Sequence, residues 1–122
     1  MPRMIKLAVA IGLICLLGAG SAAAHAMLQY AVPGVGSTVK TSPKLIRLKF
    51  SEGVEAALCR VTVTGSGSAV LTGSLRTQAN DKSTLIVTMV GALKPGVYKV
   101  AWSAVSVDTH HTEGSFSFTV RP

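Results

Sequence analysis

Cysteine, acidic residues and aromatic residues are all scarce in this sequence. The 122 residues include two cysteines, five aspartates and glutamates, one tryptophan, two tyrosines and three phenylalanines. Cys15 lies in an apolar N-terminal run, so the rest of the chain contains Cys59 alone and cannot form an intramolecular disulfide. We therefore expect a fold that depends on its apolar core rather than on cross-links.

Charge of one sign dominates, with twelve lysines and arginines and a formal net charge of +7. These basic residues are spread along the chain, without a basic run and with little aromatic interleaving. Nucleic-acid binding is therefore not predicted. A scattered positive surface is usually a solvated surface. A contact with a membrane or with an anionic partner is an open alternative that the sequence does not specifically indicate.

The first 24 residues have the features of a cleavable export signal. Two basic residues precede an apolar run at residues 7–17, and Ala22-Ala23-Ala24 matches the small-residue pattern that comes before a cleavage site. The alternative is a retained membrane anchor, but the run is shorter than the roughly 20 residues that cross a bilayer. We predict cleavage after residue 24 and hence a periplasmic or secreted protein.

Cleavage at that point leaves residues 25–122, a chain of 98 residues that fits one small domain. Arg3 and Lys6 leave with the signal, which lowers the formal net charge from +7 to +5. No internal repeat, low-complexity tract or interdomain linker is visible in the remaining sequence. We predict a single domain and expect it to be a monomer.

Short apolar alternations separated by turn residues predict an all-β fold. In the clearest segment, residues 44–50, Ile46, Leu48 and Phe50 alternate with mostly charged residues, as in a sheet that buries one face. The other predicted strands cover residues 25–30, 58–64, 69–77, 84–90, 97–107 and 115–120. About seven strands at this spacing favour an antiparallel Greek-key β-sandwich or barrel.

Three features of these segments add further expectations. Cys59 shares the parity of Val61 and Val63 and is predicted to be a buried small hydrophobic residue; a reactive thiol or a soft metal ligand is the alternative. Gly73 is a candidate β-bulge. Residues 55–58 fit either a short helical turn or the lead into the next strand.

Histidines are few, and their positions are informative: they are His25, His110 and His111. If the signal is cleaved after residue 24, His25 becomes the N-terminal residue. It can then offer its α-amino nitrogen and its imidazole Nδ1 to the same metal ion, closing a chelate ring. The α-amino group has an ordinary pKa of about 8 and so gives up its proton readily to a strong Lewis acid.

Asp108 and His110 form an Asp-x-His pair that can complete such a site. In an extended chain, residues i and i+2 point to the same side, so both side chains are predicted to face one ion from a strand end. Three nitrogens with a carboxylate oxygen suit Cu(II) best, with Asp108 either as a ligand or behind the ligands. A solvated Asp and His on the surface is the alternative explanation. Because binding displaces protons, affinity is expected to fall in acid.

Longer motifs in the chain resemble the CopC family of exported copper-binding proteins. They are the histidine after the signal, Leu48-Lys49-Phe50-Ser51-Glu52, Pro95-Gly96-Val97-Tyr98-Lys99-Val100-Ala101-Trp102, Ser106-Val107-Asp108-Thr109-His110 and Gly114-Ser115-Phe116-Ser117-Phe118. The resemblance covers essentially all of residues 25–122. It implies a cupredoxin-like or Ig-like β-barrel that binds one Cu(II) ion per mature chain through residues matching His25, Asp108 and His110.

The resemblance also bears on four other residues. Glu52 matches a glutamate close to the ion in some members, which makes it a candidate weak ligand or a carboxylate behind the ligands; an exposed strand-end carboxylate is the alternative. Some members hold Cu(I) in a methionine-rich loop, but only Met27 and Met89 follow the predicted cleavage site, so no dedicated Cu(I) site is expected. His111 stands where the family usually has proline. We expect it to be a solvent-exposed neighbour rather than an alternative ligand or a proton-sensitive residue.

The function that these expectations favour is an exported Cu(II) carrier or chaperone, which serves copper resistance or supplies a CopD-type inner-membrane copper transport protein. No enzymatic activity is predicted. The first alternative is a copper-brace oxidase, because an N-terminal histidine with a second histidine also forms the metal site of polysaccharide monooxygenases. Those enzymes need an open coordination position and usually a broad aromatic substrate face, and aromatic residues are scarce here. An adhesion-type sandwich without metal is the second alternative.

Overall fold

The computed structural model describes residues 26–122, which form two packed β-sheets. The predicted signal, residues 1–24, and the predicted ligand His25 lie outside the described residues. The prediction of an all-β sandwich is confirmed. The strands are β1 (Leu28–Val32), β2 (Thr38–Val39), β3 (Leu45–Phe50), β4 (Arg60–Gly65), β5 (Ser68–Val70), β6 (Thr72–Gln78), β7 (Asp81–Met89), β8 (Gly96–Val105) and β9 (His111–Val120).

Each sheet is built mainly from antiparallel pairs. The first sheet has the order β1-β3-β7-β6, and the second has the order β2-β9-β8-β4-β5. The pairing of β2 with β9 is parallel and covers two residues. Along its described part, the chain changes sheet five times, between β1 and β2, β2 and β3, β3 and β4, β5 and β6, and β7 and β8. None of the helical structure within residues 26–122 is long and apolar enough to cross a membrane.

The described region has nine strands rather than about seven, and the extra strands arise where the chain changes sheets. β2 is too short for alternation to reveal it. The predicted strand at residues 69–77 is two strands in different sheets, separated at Leu71, whose side chain is 72% exposed. The predicted irregularity at Gly73 is confirmed by a register shift between β6 and β7. Residues 56–58 form the short helical turn.

The core lies between the two sheets and follows the predicted alternation of β3. Ile46, Leu48 and Phe50 are fully buried, and burying a side chain of this size contributes about 1.5–3 kcal/mol. Trp102 of β8 packs edge-on against Phe50, with ring centroids 5.1 Å apart and an interplanar angle of 75°. Cys59 is buried as predicted, and burial raises the pKa of its thiol.

The strand ends lie at two poles of the sandwich. Strands β8 and β9 have ten residues each and run between the poles, which are therefore about 30 Å apart at about 3.3 Å per residue. The first, which we call the site pole, comprises residues 26–27, 51–55, 81–82 and 106–110, and backbone hydrogen bonds join these segments. The second, which we call the opposite pole, comprises residues 40–44, 90–95 and 121. Its segments are joined by bonds such as that from the Leu93 amide to Ser42 Oγ, 2.7 Å.

Gly114 of β9 lies against the Trp102 ring, and a β-carbon at this position would be 2.7 Å from Trp102 Cζ2. Because the ring or the strand would have to move, Gly114→Ala should lower the free energy of unfolding by about 1–3 kcal/mol. Urea denaturation followed by tryptophan fluorescence measures this loss. Gly91→Ala is the matched control, since no atom lies within 4 Å of a β-carbon there, and it should change stability by less than about 0.5 kcal/mol. Equal stability of the two variants would contradict the packing described.

Candidate metal centre

The Asp-x-His pair lies in the tight connection between β8 and β9. A backbone hydrogen bond runs from the Ser106 amide to the His110 carbonyl, 2.9 Å, and another from the Thr109 amide to the Ser106 carbonyl, 2.8 Å. Thr109 has a positive φ of 72°. These features define a turn that brings the chain back into β9 at His111.

The expectation that residues 108–110 are extended is therefore wrong. β8 ends at Val105 rather than continuing to Val107, and β9 begins at His111 rather than at Ser115. The physical reason is the local composition, because serine, aspartate and threonine side chains form local hydrogen bonds that favour turns over strands.

Asp108 and His110 are nevertheless close in space. The turn brings them together, and they do not lie on one side of an extended strand as predicted. Asp108 Oδ1 lies 3.3 Å from His110 Nδ1, and each side chain is 47% exposed. A carboxylate oxygen and an imidazole nitrogen thus stand next to each other where solvent, and an ion from solvent, can reach both. The pair that the sequence singled out is brought together in space.

A single hydroxyl organises this pair. Ser106 is fully buried, and its Oγ donates a short hydrogen bond to Asp108 Oδ1. The same oxygen accepts the hydrogen bond of the His110 amide at 3.1 Å. Ser106 was not predicted to be a functional residue, although a serine two residues before an aspartate in a turn is the available signal.

The hydrogen bond from Ser106 is the main cause that lowers the pKa of Asp108, and hydrogen bonds involving His110 and Glu52 add smaller contributions in the same direction. Desolvation opposes them. The carboxylate is therefore held in its ionised form at neutral pH. That is the form that can bind a cation.

Glu52 lies beside this turn. Its neighbours Gly53 and Val54 are fixed to the β8–β9 connection, through the hydrogen bond from the Val107 amide to the Gly53 carbonyl, 3.0 Å, and through an isolated bridge between Val54 and Ser106. Glu52 is partly buried rather than exposed. Among residues 26–122, Glu52 Oε1 and Trp102 Nε1 are buried without a hydrogen-bond partner. Glu52 Oε1 is thus a buried oxygen without a partner, and the Glu52 side chain lies next to Asp108. Such an oxygen suits a bound cation.

The described chain begins at the same pole. Ala26 is fully buried, and its carbonyl accepts a hydrogen bond from Thr112 Oγ1 at 2.8 Å. The Met27 amide donates to Ser51 Oγ at 2.9 Å, and the Ser51 amide donates back to the Met27 carbonyl at 2.8 Å. Residue 26 is thus fixed between the start of β9 and the end of β3. The next residue towards the N terminus is His25, which lies outside the described residues.

Three other predicted residues lie apart from the pair. His111 is exposed, and its Nε2 lies 2.8 Å from Ser103 Oγ. Met27 lies at the site pole, whereas Met89 lies at the other end, where its amide donates to the Lys44 carbonyl. Within the part of the chain that the structure describes, no three side chains of histidine, cysteine, aspartate or glutamate form a cluster suited to a metal ion.

Removal of the Ser106 hydroxyl tests the organisation of the turn. Ser106→Ala removes the buried acceptor of the His110 amide and should lower the free energy of unfolding by about 1–2 kcal/mol. The pKa of Asp108, measured by NMR titration, should rise towards its ordinary value. A lowered pKa stabilises the fold fully above the ordinary aspartate pKa of about 4, and this stabilisation is lost as the pH falls from there through the pKa of the folded protein. The part of the loss that is due to Asp108 should therefore disappear over that range. The exposed Ser115→Ala is the control, and an unchanged Asp108 pKa in Ser106→Ala would contradict this description.

Comparisons with known proteins identify the family. A profile of the CopC domain matches residues 28–121. The chain is 38% identical over 99 residues to protein YobA of Escherichia coli strain K12, with 80% of each chain covered. The solved structure of CopC from Methylosinus trichosporium OB3b has a TM-score of 0.75 and 35% identity, covering 80% of this chain and 95% of that one.

A second solved structure links the fold to copper resistance. PcoC of Escherichia coli, described as a methionine-rich copper resistance protein, has a TM-score of 0.73 and 32% identity, covering 80% of this chain and 100% of that one. The resemblance seen in the sequence motifs is confirmed by these similarities. The chain belongs to the CopC family, which includes copper resistance proteins.

Proposed function

We propose that the exported chain is a copper carrier, and that it takes one Cu(II) ion as cargo through His25, Asp108 and His110. The observation that carries this proposal is the approach of Asp108 Oδ1 and His110 Nδ1 to 3.3 Å at the pole where residue 26 is fixed. Membership of the CopC family supports copper as the metal, because PcoC is a copper resistance protein.

The position of Ala26 supports His25 as the remaining ligand. The Ala26 carbonyl is bonded to Thr112, two residues beyond His110 on the way into β9. A trans peptide separates neighbouring Cα atoms by only about 3.8 Å. Because residue 25 must therefore lie close to Ala26, we assign it as the third residue that binds the metal ion. Cleavage after residue 24 gives His25 a free amine, so one residue supplies two nitrogens in a chelate ring.

The available donors favour Cu(II) over Cu(I). Amine and imidazole nitrogens with a carboxylate oxygen suit the tetragonal geometry of Cu(II), whereas Cu(I) prefers thioether and thiolate sulfur. Met27 and Met89 stand at opposite poles, too far apart to act together on one ion. The side chain of Glu52 is partly buried and lies next to Asp108. In this proposal Glu52 stabilises the bound cation from behind the ligands or as a weak ligand.

The distribution of aromatic side chains favours a carrier over a copper oxidase that acts on a polymer. All six aromatic residues of the sequence lie within the described residues, and five of them are buried. The sixth, Tyr30, is 57% exposed on β1 and is not accompanied by a second exposed ring. A flat aromatic face for a polysaccharide is thus missing from residues 26–122. We assign the chain to copper resistance or supply in the periplasm or outside the cell, as a monomer that exchanges copper with a CopD-type membrane protein.

Two adjacent histidines allow a matched test of the ligand assignment. Cu(II) titration of the exported protein should show one ion bound per chain. His110→Ala should weaken this binding at least about 100-fold, because loss of a group that merely supports a ligand already costs about 10–100-fold. His111→Ala is the control and should leave the affinity within about twofold, since its imidazole contacts Ser103 instead.

Competition titration against a chelator of known affinity gives both values, and circular dichroism checks that each variant folds. Affinity of the parent protein should fall as the pH is lowered, because protons compete for the amine and the imidazoles. Equal loss in the two histidine variants, or unchanged binding by His110→Ala, would contradict the proposal.

A further inference from the structure

The acidic side chains are confined to one end of the sandwich. The sequence has five of them, namely Glu52, Glu55, Asp81, Asp108 and Glu113. The first four belong to the site pole. Glu113 lies close to that pole, near the start of β9, where it is opposite Ser103 in the pairing of β8 with β9. Glu55 and Asp81 form ion pairs there with Lys82 and Lys49. The opposite pole contains no acidic side chain.

The opposite pole instead presents unpaired positive charge. Lys40, Lys44, Lys94 and Arg121 are all exposed, and none of the four forms an ion pair with a residue in the range 26–122. They belong to three separate segments of the chain, which the structure brings together. Arg121 follows β9 and its amide donates to the Val39 carbonyl at 2.8 Å, so it lies next to Lys40.

An apolar surface lies among these cations. The Val90 side chain is 60% exposed, although it is a large hydrophobic residue. It lines an open cleft of about 370 Å³ together with Pro43, Lys44 and Met89. The opposite pole therefore combines cations with an aliphatic surface that no described residue covers.

We propose that the opposite pole docks on an anionic phospholipid membrane. Basic side chains around an exposed aliphatic group are the combination that binds the headgroup region of such a bilayer, through charge and through shallow apolar burial. The four cations come from three separate segments and form a broad surface instead of a pocket. That arrangement matches the distributed negative charge of headgroups better than the localised charge of an acidic protein.

Docking of this kind also fixes an orientation. An anionic surface repels the acidic site pole and attracts the basic opposite pole. The charge asymmetry therefore orients the molecule with the opposite pole towards the membrane. The Asp108–His110 pair would then stand about 30 Å from the bilayer, at the far end of β8 and β9. It would be directed towards solvent and accessible to soluble donors. The proposal does not depend on copper binding.

Vesicle binding tests the proposal with the exported protein. Vesicles of phosphatidylglycerol and phosphatidylcholine in equal parts are compared with vesicles of phosphatidylcholine alone, by co-sedimentation. Binding should require phosphatidylglycerol and should be at least tenfold weaker at about 0.5 M salt than at about 0.05 M salt. Each basic residue near such a surface strengthens binding by about fivefold, so Lys44→Gln combined with Lys94→Gln should weaken it by about 25-fold.

The matched control is Arg60→Gln combined with Lys82→Gln, which removes the same charge from the other half of the molecule and should change binding by no more than about twofold. All variants share one N terminus, so that segment cannot account for a difference between them. Lys44 and Lys94 should also be protected from acetylation on vesicles, whereas Lys82 should not. Equal weakening by both double variants, or binding that ignores phosphatidylglycerol, would overturn the proposal. Capture of an acidic protein through Lys44 and Lys94 without any vesicle binding would overturn it as well.

Discussion

The buried hydroxyl of Ser106 holds both the carboxylate of Asp108 and the amide of His110. Its backbone is also bridged to Val54, which couples the β8–β9 turn to the segment that carries Glu52. Because these groups share one anchor, the carboxylate and the imidazole are positioned before any ligand arrives. Positioning of this kind reduces the conformational entropy that must be lost when an ion binds.

The anchor is effective because the sandwich beneath it is well packed. Phe50 is the last residue of β3, and its ring contacts Trp102 of β8. With one cysteine outside the predicted signal, this apolar contact takes the place of the cross-links that many small exported domains use. Gly114 lies against the Trp102 ring, so a larger residue there would disturb this contact.

Charge distribution gives the two ends of the molecule different electrostatic character. Carboxylates at the site pole favour a cation there, and the absence of acidic side chains at the opposite pole leaves its lysines unpaired. The sequence shows only scattered basic residues, since residues 40, 94 and 121 are far apart along the chain. Their proximity results from strand order, which composition does not reveal.

Alternation in the sequence predicted the central strands and the core, because each residue's parity reports which face of a sheet it occupies. The same reasoning paired Asp108 with His110 but by the wrong geometry, since turn hydrogen bonds rather than an extended strand bring them together. Ser106, β2 and the change of sheet at Leu71 were not predicted. β2 is too short for periodicity, and the change of sheet depends on pairing between residues distant in sequence. Ser106 makes local contacts, to Asp108 and His110, but alternation does not reveal turn hydrogen bonds.

The central claim is that a newly exposed N-terminal histidine completes a Cu(II) site with Asp108 and His110. The most direct measurement compares Cu(II) affinity and electron paramagnetic resonance spectra of two exported proteins, one beginning at His25 and one with a single alanine added before it. The added alanine removes the amine of His25 and leaves its imidazole. We predict affinity at least about 100-fold lower and altered nitrogen coupling for the extended chain. Equal affinities and identical spectra would contradict the account.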